Sequence, residues 1–368
     1  MGFSDMLSTK SFAHMILGHE RQIGYMEKVM ERGCLSHGYL FSGPEHIGKF
    51  TIAMALGRSL LCEAPVGRNN RRGFFSRRTV EAFCTQCPSC RMIERGQHPD
   101  FFVLPALERR EPGDEKEIRD TISINDIREL RRKCSLASAT AGPRLGILDR
   151  VEKMGSEAAN AFLKLLEEPG KNLLFFLITS QELEVLPTIR SRVQILRFGG
   201  VPSSVLDEFL SRERGIRDQA ARKELLRCAG GRPGFLFRFL ADEDAFARER
   251  NFRRALSSAL RAGAPELLRL SERIAASGEL REKTLCVLLE ILREQWRAEA
   301  ARKNGERARG SEVLREAIAI GTAMDRFNLH PRLALDLLFL RARRGIFGSD
   351  SFPCEPAGVE GQDFLRRG

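Results

Sequence analysis

Gly38-Tyr39-Leu40-Phe41-Ser42-Gly43-Pro44-Glu45-His46-Ile47-Gly48-Lys49-Phe50-Thr51 is the stretch on which the fold turns. Gly38 to Phe41 is an apolar run suited to a buried strand, and Ile52 to Leu61 reads as an apolar helix. Between them stand two glycines five apart, the second followed directly by lysine. That is the pattern of a phosphate-binding P-loop, in which backbone N–H groups cradle phosphates and the lysine reaches the terminal ones. Gly43, Gly48 and Lys49 are therefore candidate nucleotide-binding residues. The position after the lysine should carry a hydroxyl for Mg²⁺, and Phe50 has none. Thr51 is the nearest substitute, but one residue along a helix turns by about 100°, so its hydroxyl is expected to point elsewhere.

Further apolar runs follow at Phe101 to Leu104, Leu145 to Leu148, Leu173 to Ile178 and Val193 to Leu196. Several are apolar on both faces, as strands of a buried parallel sheet are. Helix signals separate them, the clearest being Ser156 as N-cap, Glu157 in the first turn, Ala159, Phe162, Leu163 and Leu166 on one face, and Pro169 as the stop. Alternation of this kind implies an α/β domain with a parallel sheet. The third run ends in Asp149, a carboxylate placed to organise Mg²⁺. Arg150 follows it, where an acid would polarise the attacking water, and a guanidinium cannot act as a base. Glu152 is out of register. Defects in two separate motifs point to a scaffold that hydrolyses no ATP itself.

Nine cysteines occur, an odd number in a long chain whose start, MGFSDMLSTK, lacks the pattern of a secretory signal. A disulfide framework is not expected. Cys84, Cys87 and Cys90 are spaced at two-residue gaps, and Cys62 ends the helix after the P-loop. Four soft thiolates in a tetrahedral set are the arrangement of a structural zinc with no open position for chemistry. The bland alternative is three reduced surface cysteines without metal. The other cysteines fall in helix-like apolar patterns and read as core. Pro65 to Arg78, with its arginines, and Glu108 to Asp120 read as charged surface insertions, the first a solvated loop more readily than a DNA contact.

At 368 residues, 42% of them apolar, the chain has ample core for two or three domains, and no apolar run approaches the roughly 18 residues of a membrane span. A cytoplasmic location is expected. The net charge of +11 permits polyanionic partners without requiring them. After about residue 200 the strand signal disappears. Val205 to Leu210, Ala220 to Cys228 and Phe235 to Leu240 read as short helices broken at Gly230-Gly231-Arg232-Pro233-Gly234. From 244 to 345 everything is helix-periodic, including Leu280 to Trp296 and Val313 to Met324, and a Gly- and Pro-rich tail read as flexible follows.

Together these residues resemble the clamp-loader subunits of the AAA+ class, most closely the delta prime branch of bacterial DNA polymerase III. The resemblance runs from about Ile16 to Arg344. It is carried by His37 to Pro44 leading into the P-loop, the four-cysteine module, His98-Pro99-Asp100, Ile124 to Leu130, and above all Ala158 to Pro169 followed by Phe175 to Thr179. Asn328 to Asp336 looks like the family's last collar helix. The resemblance implies an AAA+ P-loop domain over 1–199 with a zinc module at 62–90, a helical lid at 200–243, a helical collar or oligomerisation domain at 244–345, and a tail at 346–368. It implies a stator within a ring that places a sliding clamp on primed DNA, with gamma/tau-like and delta-like subunits as partners and DNA touched through phosphates. Members carry a Ser-Arg-Cys motif whose arginine completes a neighbour's ATP site. Here the match is Ser191-Arg192-Val193, with the cysteine replaced. Thr179 matches the family's γ-phosphate sensor, and Arg232 stands two residues before the lid's usual sensor position.

The expectation is thus a component of the DNA polymerase holoenzyme with neither polymerase nor ATPase activity of its own. Arg192 would act in trans, and Gly43, Gly48, Lys49, Thr51, Asp149 and Thr179 would form a degenerate site for ATP and Mg²⁺. Two alternatives stand beside it: an active gamma/tau-type ATPase subunit, and a free-standing zinc-dependent nucleic-acid-binding protein.

Overall fold

The computed structural model describes residues 16–63, 83–105, 121–135, 143–168, 172–212, 216–302, 315–320 and 330–347. The chain divides into two compact units, Met1–Ala241 and Asp242–Gly368. The two charged insertions, the Pro169 stop, half of Val313 to Met324 and the residues after 347 lie outside the described residues.

In the first unit five strands form one sheet in the order β2-β3-β4-β1-β5, every neighbouring pair parallel. They are β1 (Gly38–Ser42), β2 (Phe101–Leu104), β3 (Arg144–Leu148), β4 (Leu173–Thr179) and β5 (Gln194–Arg197). Each agrees with an apolar run of the sequence to within a residue or two at either end. β1 and β4 are buried along their whole length because both lie inside the sheet and both faces are covered. Alternation assigns each side chain to a face. Tyr39, Phe41, Leu145, Ile147, Phe176 and Ile178 pack with Ile23 and Met26 of α1 (Glu20–Glu31) and with Ile52 and Leu56 of α2 (Lys49–Leu61). Leu40, Leu148, Phe175 and Leu177 face the other way, onto Ile127 and Leu130 of α4 (Ile124–Ser135) and Phe162 and Leu166 of α5 (Ser156–Glu167). The short α3 (Pro88–Glu94) adds Ile93 to the first face. On the second face Gly146 makes room for the Phe175 ring, since a Cβ there would lie 2.6 Å from Cδ1.

One sequence expectation needs correcting. Ser156 does not cap α5 but is its first residue, and Gly155 holds the extended N-cap conformation with no side-chain bond. After α6 (Pro187–Arg190) and β5, the unit ends in α7 (Ser203–Arg212), α8 (Gln219–Ala229) and α9 (Pro233–Ala241). Gly230 closes α8 in the left-handed conformation at φ 57°, and Pro233 starts α9, as the Gly-Gly-Arg-Pro-Gly break implies.

The second unit is helical throughout its described residues: α10 (Glu243–Ala262), α11 (Ala264–Ala275), α12 (Gly278–Arg302), residues 315–320, and α13 (Pro331–Phe347). Phe252, Leu256, Leu267, Ile274, Leu288, Leu335 and Phe339 make its core. Arg253 is buried between Glu249, at 2.8 Å, and Glu290, so the positive charge that burial would penalise is paired from two helices. No described helix of the chain is long and apolar enough to cross a membrane.

Candidate functional site

The loop between β1 and α2 has the backbone of a phosphate cradle. Gly43 takes φ 151° and Gly48 φ 100°, conformations that L side chains rarely adopt. A Cβ at Gly43 would also meet the Phe198 carbonyl oxygen at 2.2 Å. Lys49 is only 6% exposed, and its Nζ donates to the carbonyls of Gly43 at 2.5 Å and Pro44 at 2.6 Å. Burial lowers its pKa to about 8, against the opposing pull of Asp149, Glu45 and Glu152. Two of the three N–H donors of the ammonium are thus taken up by the loop's own carbonyls. His19 Nε2 lies 2.8 Å from the Ile47 carbonyl. The Gly234 amide at the start of α9 donates to the His46 carbonyl at 2.8 Å, and the His46 ring lies 4.4 Å from Phe235. The loop is therefore tied from α9 as well as from within. At Gly234 a Cβ would sit 2.9 Å from the His46 carbonyl oxygen, so backbone must move to admit it. Gly234→Ala is expected to cost about 1–3 kcal/mol, read as a lower midpoint in thermal unfolding followed by circular dichroism.

Around this loop the C-terminal edge of the sheet gathers the other expected nucleotide residues. Thr179 pairs with Ser42, and its carbonyl accepts from the Gly43 amide at 3.3 Å. Its own Oγ1 accepts from the Gln181 amide at 3.0 Å. Asp149 follows β3, where burial raises its pKa while Arg150 and Lys49 oppose the rise. Its Oδ1 accepts from the Arg150 amide at 3.0 Å. Glu152 accepts from the Ser180 amide and hydroxyl at 3.1 and 2.7 Å. Phe50, where a metal-binding hydroxyl is needed, packs against the core of the first sheet face. Thr51 beside it is half-buried. Gly43, Gly48, Lys49, Asp149 and Thr179 are thus brought to one edge, with several of their polar atoms bonded within the chain.

A second constellation joins the end of α2 to the start of α3. The sulfurs of Cys62, Cys84, Cys87 and Cys90 all lie within 4.8 Å of one another, and Cys62 and Cys84 are 3.6 Å apart. Tetrahedral coordination with Zn–S bonds of about 2.3 Å needs sulfurs roughly 3.8 Å apart, so the set fits such an ion. The amides of Cys84, Cys87 and Cys90 point at the sulfurs of Cys62, Cys84 and Cys87. Burial resists ionisation of Cys84, but the Gln86 and Cys87 amides and neighbouring thiols outweigh it and bring its pKa down to about 7. Burial and the adjacent sulfurs push Cys90 the other way. Four thiolates this close require a cation to coexist. The module is fastened to the sheet beside it. Ser89 Oγ lies 2.7 Å from His98 Nε2, the Asp100 amide donates to His98 Nδ1 at 3.1 Å, and Asp100 pairs with Arg144 at 3.3 Å. The expectation that the other cysteines are core fails in part. Cys228 is buried, but Cys34 and Cys286 are exposed, and Cys354 lies outside the described residues.

Arg192 lies at the opposite edge. Tyr39 pairs with Gln194, which sets Arg192 level with about residue 37, just before the neighbouring strand β1. Six residues of rise at roughly 3.3 Å each separate that level from Gly43, about 20 Å in all. The one-turn α6 brings Arg192 to the N-terminal end of β5, and the next residue is held by packing: a Cβ at Gly38 would lie 2.8 Å from Val193 Cγ1. The guanidinium is 38% exposed and bonds Glu167 Oε1 at 2.8 Å and the Thr188 carbonyl at 3.0 Å. Neither partner, nor the seating of α9 on His46, carries a signal in the sequence. Each pairs residues far apart or uses a backbone carbonyl.

Residues 18–202 match the model of a family described as "DNA polymerase III, delta subunit". The chain is 32% identical over 200 residues to the DNA polymerase III subunit delta prime of Pseudomonas aeruginosa, covering 54% of each. It is 28% identical over 213 residues to the delta prime subunit of Escherichia coli, covering 58% of this chain and 57% of the relative. The gamma/tau subunit of Mycobacterium tuberculosis is 30% identical over 227 residues, covering 61% of this chain and 35% of the relative. The chain thus spans about half the length of the delta prime relatives it matches.

Proposed function

Because the chain belongs to the family described as DNA polymerase III, delta subunit, we propose that it is a delta prime-like clamp-loader subunit. In this reading it is a cytoplasmic stator that assembles with gamma/tau-like and delta-like subunits and helps place a sliding clamp on primed DNA. Residues 1–199 are the AAA+ body, 200–243 the lid, 244–345 the collar and 346–368 a tail. Arg192 serves the ATP site of a neighbouring subunit, while the chain's own site, formed by Gly43, Gly48, Lys49, Thr51, Asp149 and Thr179, hydrolyses nothing. The observation that carries this reading is the separation of the two features. Arg192 stands about 20 Å of strand rise from the phosphate loop of the same sheet, so it can meet a triphosphate only on another chain. The chemistry of the loop agrees. Phe50 offers no metal ligand and Arg150 no base.

We assign Cys62, Cys84, Cys87 and Cys90 to a structural zinc. When bound, the ion supplies four fixed bonds and no open position, so it staples the module and takes no part in chemistry. His98 and Ser89 then seat the staple against β2.

Purified alone, the chain is expected to show no ATP turnover above background. Mixed with gamma/tau- and delta-type subunits of the same organism, it is expected to enter a complex that loads a clamp onto primed DNA. Turnover by the isolated chain that disappears in Lys49→Ala would replace this reading with the motor-subunit one. DNA binding by the chain alone, lost on chelation, would favour a free-standing nucleic-acid-binding protein.

A further inference from the structure

We propose that Glu167 is the positioning residue for Arg192, holding its guanidinium ready for a phosphate brought by another chain; the inference rests on the trans role given to Arg192 above. Glu167 is the last residue of α5, and its Oε1 takes one N–H of the guanidinium at 2.8 Å. The Thr188 carbonyl takes an N–H of the other terminal nitrogen at 3.0 Å. That carbonyl also accepts from Ser191 Oγ at 3.1 Å, so the serine of the Ser-Arg pair braces the same anchor. Val193, packed over Gly38, fixes the backbone on the far side. Two of the five N–H donors are used in this way, and three are left for an incoming anion.

A guanidinium is planar, and two anchors on different terminal nitrogens define both its position and its plane. Without them, a four-torsion side chain at a surface samples many rotamers, and each productive encounter must first select one. Glu167 is half exposed, and an exposed ion pair is weak and screened by salt. Its worth here is in orientation. The amide of glutamine offers a carbonyl oxygen in the same place, so Glu167→Gln should preserve the anchor although it removes the charge. Glu167→Ala removes both. A competitor role makes the opposite prediction, because a carboxylate that merely detains Arg192 from phosphate would slow the reaction when present and release it when deleted.

The test measures ATP hydrolysis by the reconstituted complex carrying Glu167→Ala, Glu167→Gln, Arg192→Ala or the Arg192→Ala/Glu167→Ala pair. Glu167→Ala is expected to lower kcat at the site served by about 10-fold with KM unchanged, below the roughly 100-fold that a 1 Å misplacement can cost. Glu167→Gln should stay within about 2-fold of the parent, and the double variant should be no slower than Arg192→Ala alone. A thermal midpoint unchanged in both Glu167 variants separates positioning from folding. Arg192→Ala impaired with Glu167→Ala unimpaired or faster would overturn the positioning role and leave the trans role standing. Arg192→Ala without effect would remove the trans role, and this inference with it.

Discussion

Replacing Arg192 by alanine in the assembled complex is expected to slow ATP hydrolysis at the site it enters by roughly 1,000-fold or more, the scale on which a trans arginine acts in phosphoryl transfer. Charge builds on the transferring phosphoryl oxygens, and a fixed guanidinium neutralises it without solvent rearrangement. The effect should appear in single-turnover hydrolysis, where sites that do not receive Arg192 contribute a separate, unaltered phase. Arg192→Lys retains the charge but not the planar fork, and an intermediate loss is expected. Stability should scarcely change. The pair with Glu167 is 38% and 50% exposed, and such pairs contribute about 0–1 kcal/mol. A variant complex that hydrolyses at the parental rate would show that the guanidinium has only its surface contacts to make.

Cys87→Ser is expected to abolish zinc binding and to loosen the segment that joins α2 to α3. Zinc content should fall from one to none per chain by elemental analysis of dialysed protein. Structural zinc contributes about 10–16 kcal/mol in small finger peptides that fold only around it. Here the gain is a fraction of that, because the module is also held through Ser89, His98 and the Asp100–Arg144 pair. A loss of several kcal/mol in this module alone is the expected scale. It should be visible as new protease cleavage between Phe83 and Cys90 while the sheet's far-ultraviolet signal persists. Parental protein that carries no metal after expression in zinc-supplemented medium, and that resists protease equally with and without chelator, would exclude the staple.

The sheet was legible because several of its strands are apolar on both faces and the sheet lies between two helical layers. The cysteine module was legible from spacing, and the structure brings Cys62, expected as the fourth ligand, to the other three sulfurs across 21 intervening residues. Other features lacked any local mark. Ser156 and Glu157 imitate a cap and first turn, yet Gly155 already supplies the extended residue and shifts the register by one. Cys286 sits among apolar neighbours in the sequence but falls on an outward position of α12, and Cys34 follows α1 between Arg32-Gly33 and Leu35-Ser36. The bonds from Lys49 to Gly43 and Pro44 use carbonyls that every residue possesses. Glu167 and Arg192 are 25 residues apart and meet only because α5 returns antiparallel to the strands before β5 begins.

On the reading proposed for Arg192, its placement at the opposite end of parallel strands from the phosphate loop gives the assembly a polarity. A two-fold dimer would make the exchange reciprocal, the arginine end of each subunit meeting the pocket end of the other. Heterologous, head-to-tail stacking passes the arginine in one direction, and it must close into a ring or be capped. On that reading, a member with an arginine to give and a pocket that does not hydrolyse receives nothing useful from the subunit behind it, so in such a stack it belongs at a terminus.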